Sequence, residues 1–207
     1  MRSLNRALCV SVMGMVPLMA QADELTPLAD MPAGTYVLDK SHASIIWKVN
    51  HLGLSHYTAR FTDFSASVAL DPADVSKSSL KATIDPTSIK TDFVGEKDFD
   101  KKLTHGEDWF NGGKFPAITF ESTKIEQQLD DTGEIHGNLT MLGVTKPLVL
   151  DATFNGAYAQ APFSKKAVIG VSAQTVVKRS DWGFDTYVPM IGDEVLVLIE
   201  AELVKED

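Results

Sequence analysis

From Ile45 onward the chain alternates between apolar and polar residues, and turn signals interrupt the alternation at short intervals. A period of two sends successive side chains to opposite faces of an extended strand, so the pattern commits the chain to β-structure. Ile45, Trp47, Val49 and His51 share one face of a first strand, with Ile46, Lys48 and Asn50 on the other. Comparable runs at 60–70, 80–84, 118–125, 134–141, 148–154, 167–178 and 194–203 bring the total to about eight strands. Asp71-Pro72, Asp130-Asp131-Thr132-Gly133, Leu142-Gly143 and Ile191-Gly192-Asp193 read as tight turns. Turns this short join antiparallel neighbours, because a parallel crossover needs a dozen residues or more. An antiparallel sheet of this size closes into a barrel or folds into a sandwich. The fold class is therefore all-β.

One stretch, residues 91–115, breaks the pattern. Phe99 and Leu103 are four apart amid Glu96, Lys97, Asp98, Asp100, Lys101 and Lys102, the spacing of a short amphipathic helix lying across one end of the sheet. Trp109 and Phe110 follow at once and make that end rich in aromatic rings. The folded domain is expected over 35–204, behind a short loose lead at 23–34.

The first residues have another character. Arg2 and Arg6 open the chain, an uncharged apolar run follows, and Ala20-Gln21-Ala22 has the small-x-small form cut by signal peptidase. Residues 1–22 are expected to be a cleaved secretory signal, and the apolar run is shorter than the ~20 residues of a spanning helix. The protein is accordingly expected in the periplasm, without stable membrane insertion. The one cysteine, Cys9, lies within this signal, so disulfides, thiolate catalysis and cysteine-type metal sites are excluded for the mature chain. A net charge of -9, with 19 basic against 28 acidic residues, argues against nucleic acid as a partner.

Four segments, in order, are similar to the YceI-like family of periplasmic lipid-binding proteins. They are Tyr36 to Asp39 with Ser41-His42 and the run from Trp47 to Gly53; Asp108-Trp109-Phe110 with Lys114-Phe115-Pro116 and Ile118 to Ser122; Gly137 to Pro147; and Arg179 to Gly183. The chain departs from the family pattern at Arg60, Lys102, Asn138 and Trp182. The resemblance implies an eight-stranded antiparallel lipocalin-like β-barrel with a short helical insertion. It also implies an apolar tunnel for a polyisoprenoid or another long-chain amphiphile, such as a quinone precursor or fatty-acid derivative. On that reading the ligand is carried unchanged, no catalytic residue or cofactor is needed, and the chain is not an enzyme. Barrels of this kind can pair through exposed apolar residues, which makes a homodimer the assembly to look for.

The residues expected to contact such a ligand are Trp47, Val49, His51, Phe61, Phe93, Phe99, Leu103, Trp109, Phe110, Phe120, Arg179 and Trp182. Phe64, Phe154 and Phe184 complete the aromatic set, and any of these rings can equally be plain core. An anionic head group would seek Arg179 first, since its fork suits oxyanions, with Lys178, Lys165, Lys166 and Arg60 as further cations. The competing role for Arg179 is an ion pair with Asp181 or Asp185. His42, His51 and His56 match no metal-binding spacing, so no metal site is expected. Two other functions stay open at this point. One is a lipid-modifying or electron-transfer accessory protein using His42 or His51 for proton transfer; the other is a stress-related protein with a filled barrel that binds a partner on its surface.

Overall fold

A computed structural model describes residues 24–129 and 131–207. The expected signal at 1–22 lies outside the described residues, as does Asp130 of the expected 130–133 turn. Ten strand segments and one α-helix follow in order: β1 (Gly34–His51), β2 (Ser55–Phe61), β3 (Phe64–Leu70), β4 (Ser79–Ile84), β5 (Ile89–Lys90), α1 (Phe99–His105), β6 (Ile118–Gln127), β7 (Thr132–Met141), β8 (Val144–Tyr158), β9 (Val168–Lys178) and β10 (Ile191–Lys205).

These segments form eight staves. β1 pairs with β3 through Gly34 to Val37 and with β2 through Ile45 to His51, so β2 and β3 are one bent stave interrupted at Thr62-Asp63. β4 lies on β3 and β5 on β2, which makes the next stave equally bent. β4, β6, β7, β8, β9 and β10 then follow one another, and β10 returns to β1 from Tyr36↔Lys205 to His51↔Ile191. Every pairing is antiparallel and the ring is closed, the eight-stranded barrel that the family resemblance implies and one of the two architectures the alternation allows. Closure leaves no long unpaired edge among the eight staves.

The pleat sets the inward parity. On β1 it is Leu38, Ile45, Trp47 and Val49 that turn inside, and the register carries the parity around the ring through Trp47↔Ala59 and Trp47↔Val197. At the β7–β8 turn Leu142 and Gly143 take φ of 52° and 77°. A two-residue hairpin of this hand needs both central residues left-handed, which glycine adopts without steric cost. The expected turn at Ile191-Gly192-Asp193 is instead the start of β10. Gly192 serves a close approach there: a Cβ on it would lie 3.3 Å from the backbone nitrogen of Asn50, at the bulge where β1 and β10 shift register. The true β9–β10 connection is the loop after β9, opened by a 3-10 turn at Arg179–Trp182.

The two barrel ends differ. At one end α1 is capped by the Asp98 carboxylate, which accepts from Lys101 N, and it buries Leu103 and Thr104. At the other end the lead is held in place: Thr26 N donates to Ala157 O at 2.7 Å, and Ala159 N donates to Thr26 Oγ1 at 3.0 Å. Met31 and Tyr36 pack there with Leu70, Ala157, Ala167, Ile169 and Leu203 as a small second core. The sequence suggested a loose lead because it has no period; burial of Met31 and backbone pairing fix it instead. No helix among the described residues is long and apolar enough to cross a membrane.

Candidate functional site

The barrel encloses a cavity of about 590 Å³. Its wall is built by the inward parity of all eight staves, including Phe64 and Ala66 on β3, Leu148 and Leu150 on β8, Ala173 and Val177 on β9, and Val197 and Ile199 on β10. Several of these apolar residues are only half-buried although they point inward, because they face the void. The volume is that of a pocket able to enclose most of a small ligand. Toward α1 the cavity is closed by Leu103 and by interlocked rings. Phe110 meets Phe61 and Phe184 edge-on at centroid distances of 5.9 and 5.0 Å, and Trp109 meets Phe184 at 5.7 Å. Edge-to-face contacts of this kind hold aromatic side chains in fixed orientations.

At the opposite end the lining includes the exposed residues Pro27, Gln127, Asp131 and Thr132, so the cavity reaches the surface there. Val75 and Ser78, from the segment between β3 and β4, complete the rim. The site is thus an apolar pocket that opens at this end, where Ser78, Gln127, Asp131 and Thr132 supply polar groups, with Arg179 lining it at the other end.

Of the residues expected to contact a ligand, Trp47, Val49, Phe61, Leu103, Trp109, Phe110, Phe120 and Arg179 line the cavity. His51, Phe93, Phe99 and Trp182 do not. Trp182 is buried beside the cavity, donating Nε1–H to Leu139 O at 3.2 Å. Phe99 stands behind the wall, edge-on to Tyr57 at 6.0 Å and to Trp109 at 6.3 Å, and the half-exposed Phe93 leans on it from outside. His51 packs against Tyr57. Trp47 Nε1 and Tyr57 Oη are sealed from solvent without a hydrogen-bond partner. The sequence reading favoured aromatic rings and passed over the aliphatic lining of β8, β9 and β10. The signal for it was the same alternation, read once Trp47 fixes the parity.

Arg179 is held chiefly by its own loop. Its side chain is 5% exposed and spends its donors on four backbone carbonyls. Nε donates to Gly192 O at 2.8 Å, Nη1 to Phe184 O at 2.9 Å, and Nη2 to Thr186 O and Ile191 O at 3.0 Å each. The guanidinium therefore ties together the loop that joins β9 to β10. Burial pushes its pKa down, with the charges of Asp193 and Asp185 opposing. Arg60 pairs with Asp92, and Lys166 with Asp207. Apart from Arg179, no cation lines the cavity among the described residues.

Neither His42 nor His51 lines the cavity. His42 is on the outside, its Nδ1 2.9 Å from Asp39 Oδ2, and that hydrogen bond raises the imidazole pKa, with the Glu202 charge adding to it. The metal-ligating side chains that converge among the described residues are Glu126, Glu134 and His136, on β6 and β7 near the mouth.

Comparison with known proteins agrees with this geometry. A family model described as "YceI-like domain" matches residues 36–203. A UPF0312 protein of Shewanella oneidensis is 37% identical over 164 residues, covering 78% of this chain and 82% of that protein. The crystal structure of a Campylobacter jejuni YCEI protein superposes with a TM-score of 0.66 at 31% identity, over 77% of this chain and 91% of that one. A polyisoprenoid binding domain from Saccharophagus degradans, implicated in plant cell wall breakdown, has a TM-score of 0.58 at 12% identity, over 84% of this chain and all of that one. This last likeness is one of fold.

Proposed function

The chain belongs to the YceI-like family, and from that membership and its apolar pocket we propose that it is a periplasmic carrier enclosing a long-chain amphiphile, of which a polyisoprenoid is the leading candidate. The observation that carries the reading is a cavity of about 590 Å³ to which every stave contributes apolar residues and whose one lining cation, Arg179, donates to four backbone carbonyls. The polyisoprenoid binding domain of the same fold adds support.

The chain of the ligand occupies the pocket and its head group stays at the mouth. Removing ~16 carbons from water is worth about 13 kcal/mol at ~0.8 kcal/mol per methylene. Association costs on the order of 4–15 kcal/mol, so a pocket preformed by a closed barrel decides whether binding is tight. A charged head group would be costly inside, where no uncommitted cation meets it, and cheap at the mouth in contact with water. The reading contains no chemical step, and the ligand leaves as it entered.

The test is to purify the protein from the periplasm without detergent, extract it with organic solvent, and identify the extract by mass spectrometry. A long-chain species at one per chain, recovered unchanged after incubation, is the expected result. An empty extract after lipid feeding, together with no change in tryptophan fluorescence on adding a long-chain isoprenoid, overturns the proposal.

A further inference from the structure

The outer face of the β6–β7 hairpin gathers three side chains whose ligating atoms converge. In the strand register Glu126 stands directly opposite Glu134, and Lys124 opposite His136. Glu134 and His136, two apart on one strand, share a face. His136 Nε2 lies 3.0 Å from Glu126 Oε2 and 3.0 Å from Glu134 Oε2, and the three ligating atoms fall within 4.8 Å of one another. Like charges directly opposite across a strand pair repel, so this pairing calls for positive charge between the carboxylates.

The imidazole does not answer that need by hydrogen bonding. Its Nε2 is sealed from solvent and sits at ion-pairing distance from both oxygens, without the alignment of a good hydrogen bond. The other oxygen of each carboxylate is already held from outside the cluster. Lys124 Nζ pairs with Glu126 Oε1, and Gln128 Nε2 donates to Glu134 Oε1 at 2.6 Å. The two remaining oxygens are thereby turned toward Nε2. Outer donors that orient inner ligands in this way surround bound metal ions.

We propose that Glu126, Glu134 and His136 form a binding site for a divalent cation of the zinc type, with water completing the shell. One imidazole and two carboxylates are a donor set that zinc accepts. Tetrahedral ligands about 2.0–2.2 Å from zinc lie about 3.4 Å apart. Each 3.0 Å separation needs to open by only a few tenths of an ångström to admit the ion. The turn of the same hairpin contributes Asp131, Thr132 and Gly133 to the cavity rim, so the ion would clamp β6 to β7 just below the mouth. The site stands whether or not the pocket holds a lipid.

The experiment is calorimetric titration of zinc into the purified, metal-stripped protein with any affinity tag removed, followed by X-ray absorption spectroscopy of the zinc-bound form. One zinc per chain, with a light-atom shell containing one imidazole, is expected. Loss of an outer partner alone weakens metal sites about 10–100-fold, so Glu126→Gln and His136→Ala should each weaken zinc by at least about a hundredfold. His42→Ala should leave it unchanged. Absent or substoichiometric uptake overturns the proposal, as does unchanged affinity in Glu126→Gln. That variant keeps the side-chain shape outside the barrel and decides the matter if His136→Ala fails to fold.

Discussion

Replacing Arg179 with Met should cost the protein about 3 kcal/mol of stability while leaving its affinity for a long-chain amphiphile nearly unchanged. Met keeps the length and apolar stem of the side chain and deletes its donors. Four hydrogen bonds from a charged group, at about 1.5–3 kcal/mol each, set a ceiling of roughly 6–12 kcal/mol. Two effects lower it. The guanidinium no longer has to be stripped of water, a saving of several kcal/mol, and the loop carbonyls of Thr186 and Ile191, only half-buried, can recruit water. What remains is chiefly the burial of the Phe184 carbonyl without a donor and the loosening of the loop, hence about 3 kcal/mol. For a chain of this size that lowers Tm by roughly 6–12 °C. Urea unfolding followed by tryptophan fluorescence measures the loss, and titration with a long-chain isoprenoid below the new Tm measures affinity. A variant that keeps its stability but loses affinity would refute the reasoning, because Arg179 would then be touching ligand and not the loop.

Ala173 lines the cavity on β9, between Ala152 and Ile199 in the register. Ala173→Phe should fill part of the void, hold or raise Tm, and abolish isoprenoid binding; full binding with a folded variant would place the ligand elsewhere. His42 and Asp39 give a pH signature. The imidazole pKa is raised above its ordinary 6.5 by the hydrogen bond to Asp39, so its contribution is fully present below pH 6.5 and disappears as pH rises through the raised value. The Asp39 pKa is lowered from 3.8 by the same bond, so its share is present above pH 3.8 and is lost as pH falls. Comparing melting of His42→Ala with the parent from pH 4.5 to 9 should show the gap between them closing on the alkaline side; a constant gap would remove the pair from the account.

Most of the barrel was legible because alternation is a one-dimensional record of a closed sheet. The runs at 80–84, 118–125 and 134–141 fall within β4, β6 and β7, and Leu142-Gly143 is a turn. The first half of β1 was not legible. Asp39, Lys40, Ser41 and His42 are polar in succession, and the register with β10 shifts between Leu38 and Ala43, so the bulge erases the period there. The 190s misled for a related reason. Glycine is read as a turn, but Gly192 lies inside a strand where the Asn50 backbone approaches closely, a contact set some 140 residues earlier. Arg179 shows a further limit: a cation in a family motif suggests an anionic ligand, and only coordinates reveal that the motif's own loop supplies the acceptors. The Glu126, Glu134 and His136 cluster depends on cross-strand register, which spacing along one strand does not encode.

The closing seam has a consequence for how cargo can enter. β1 is made first and β10 last, yet the two pair along most of their length. Until β10 has emerged, one edge of β1 stays unsatisfied, and pairing of strands so distant in sequence is slow. Once closed, the seam leaves the mouth as the route between pocket and solvent, so whatever the pocket holds must pass Pro27, Gln127, Asp131 and Thr132 to enter or leave.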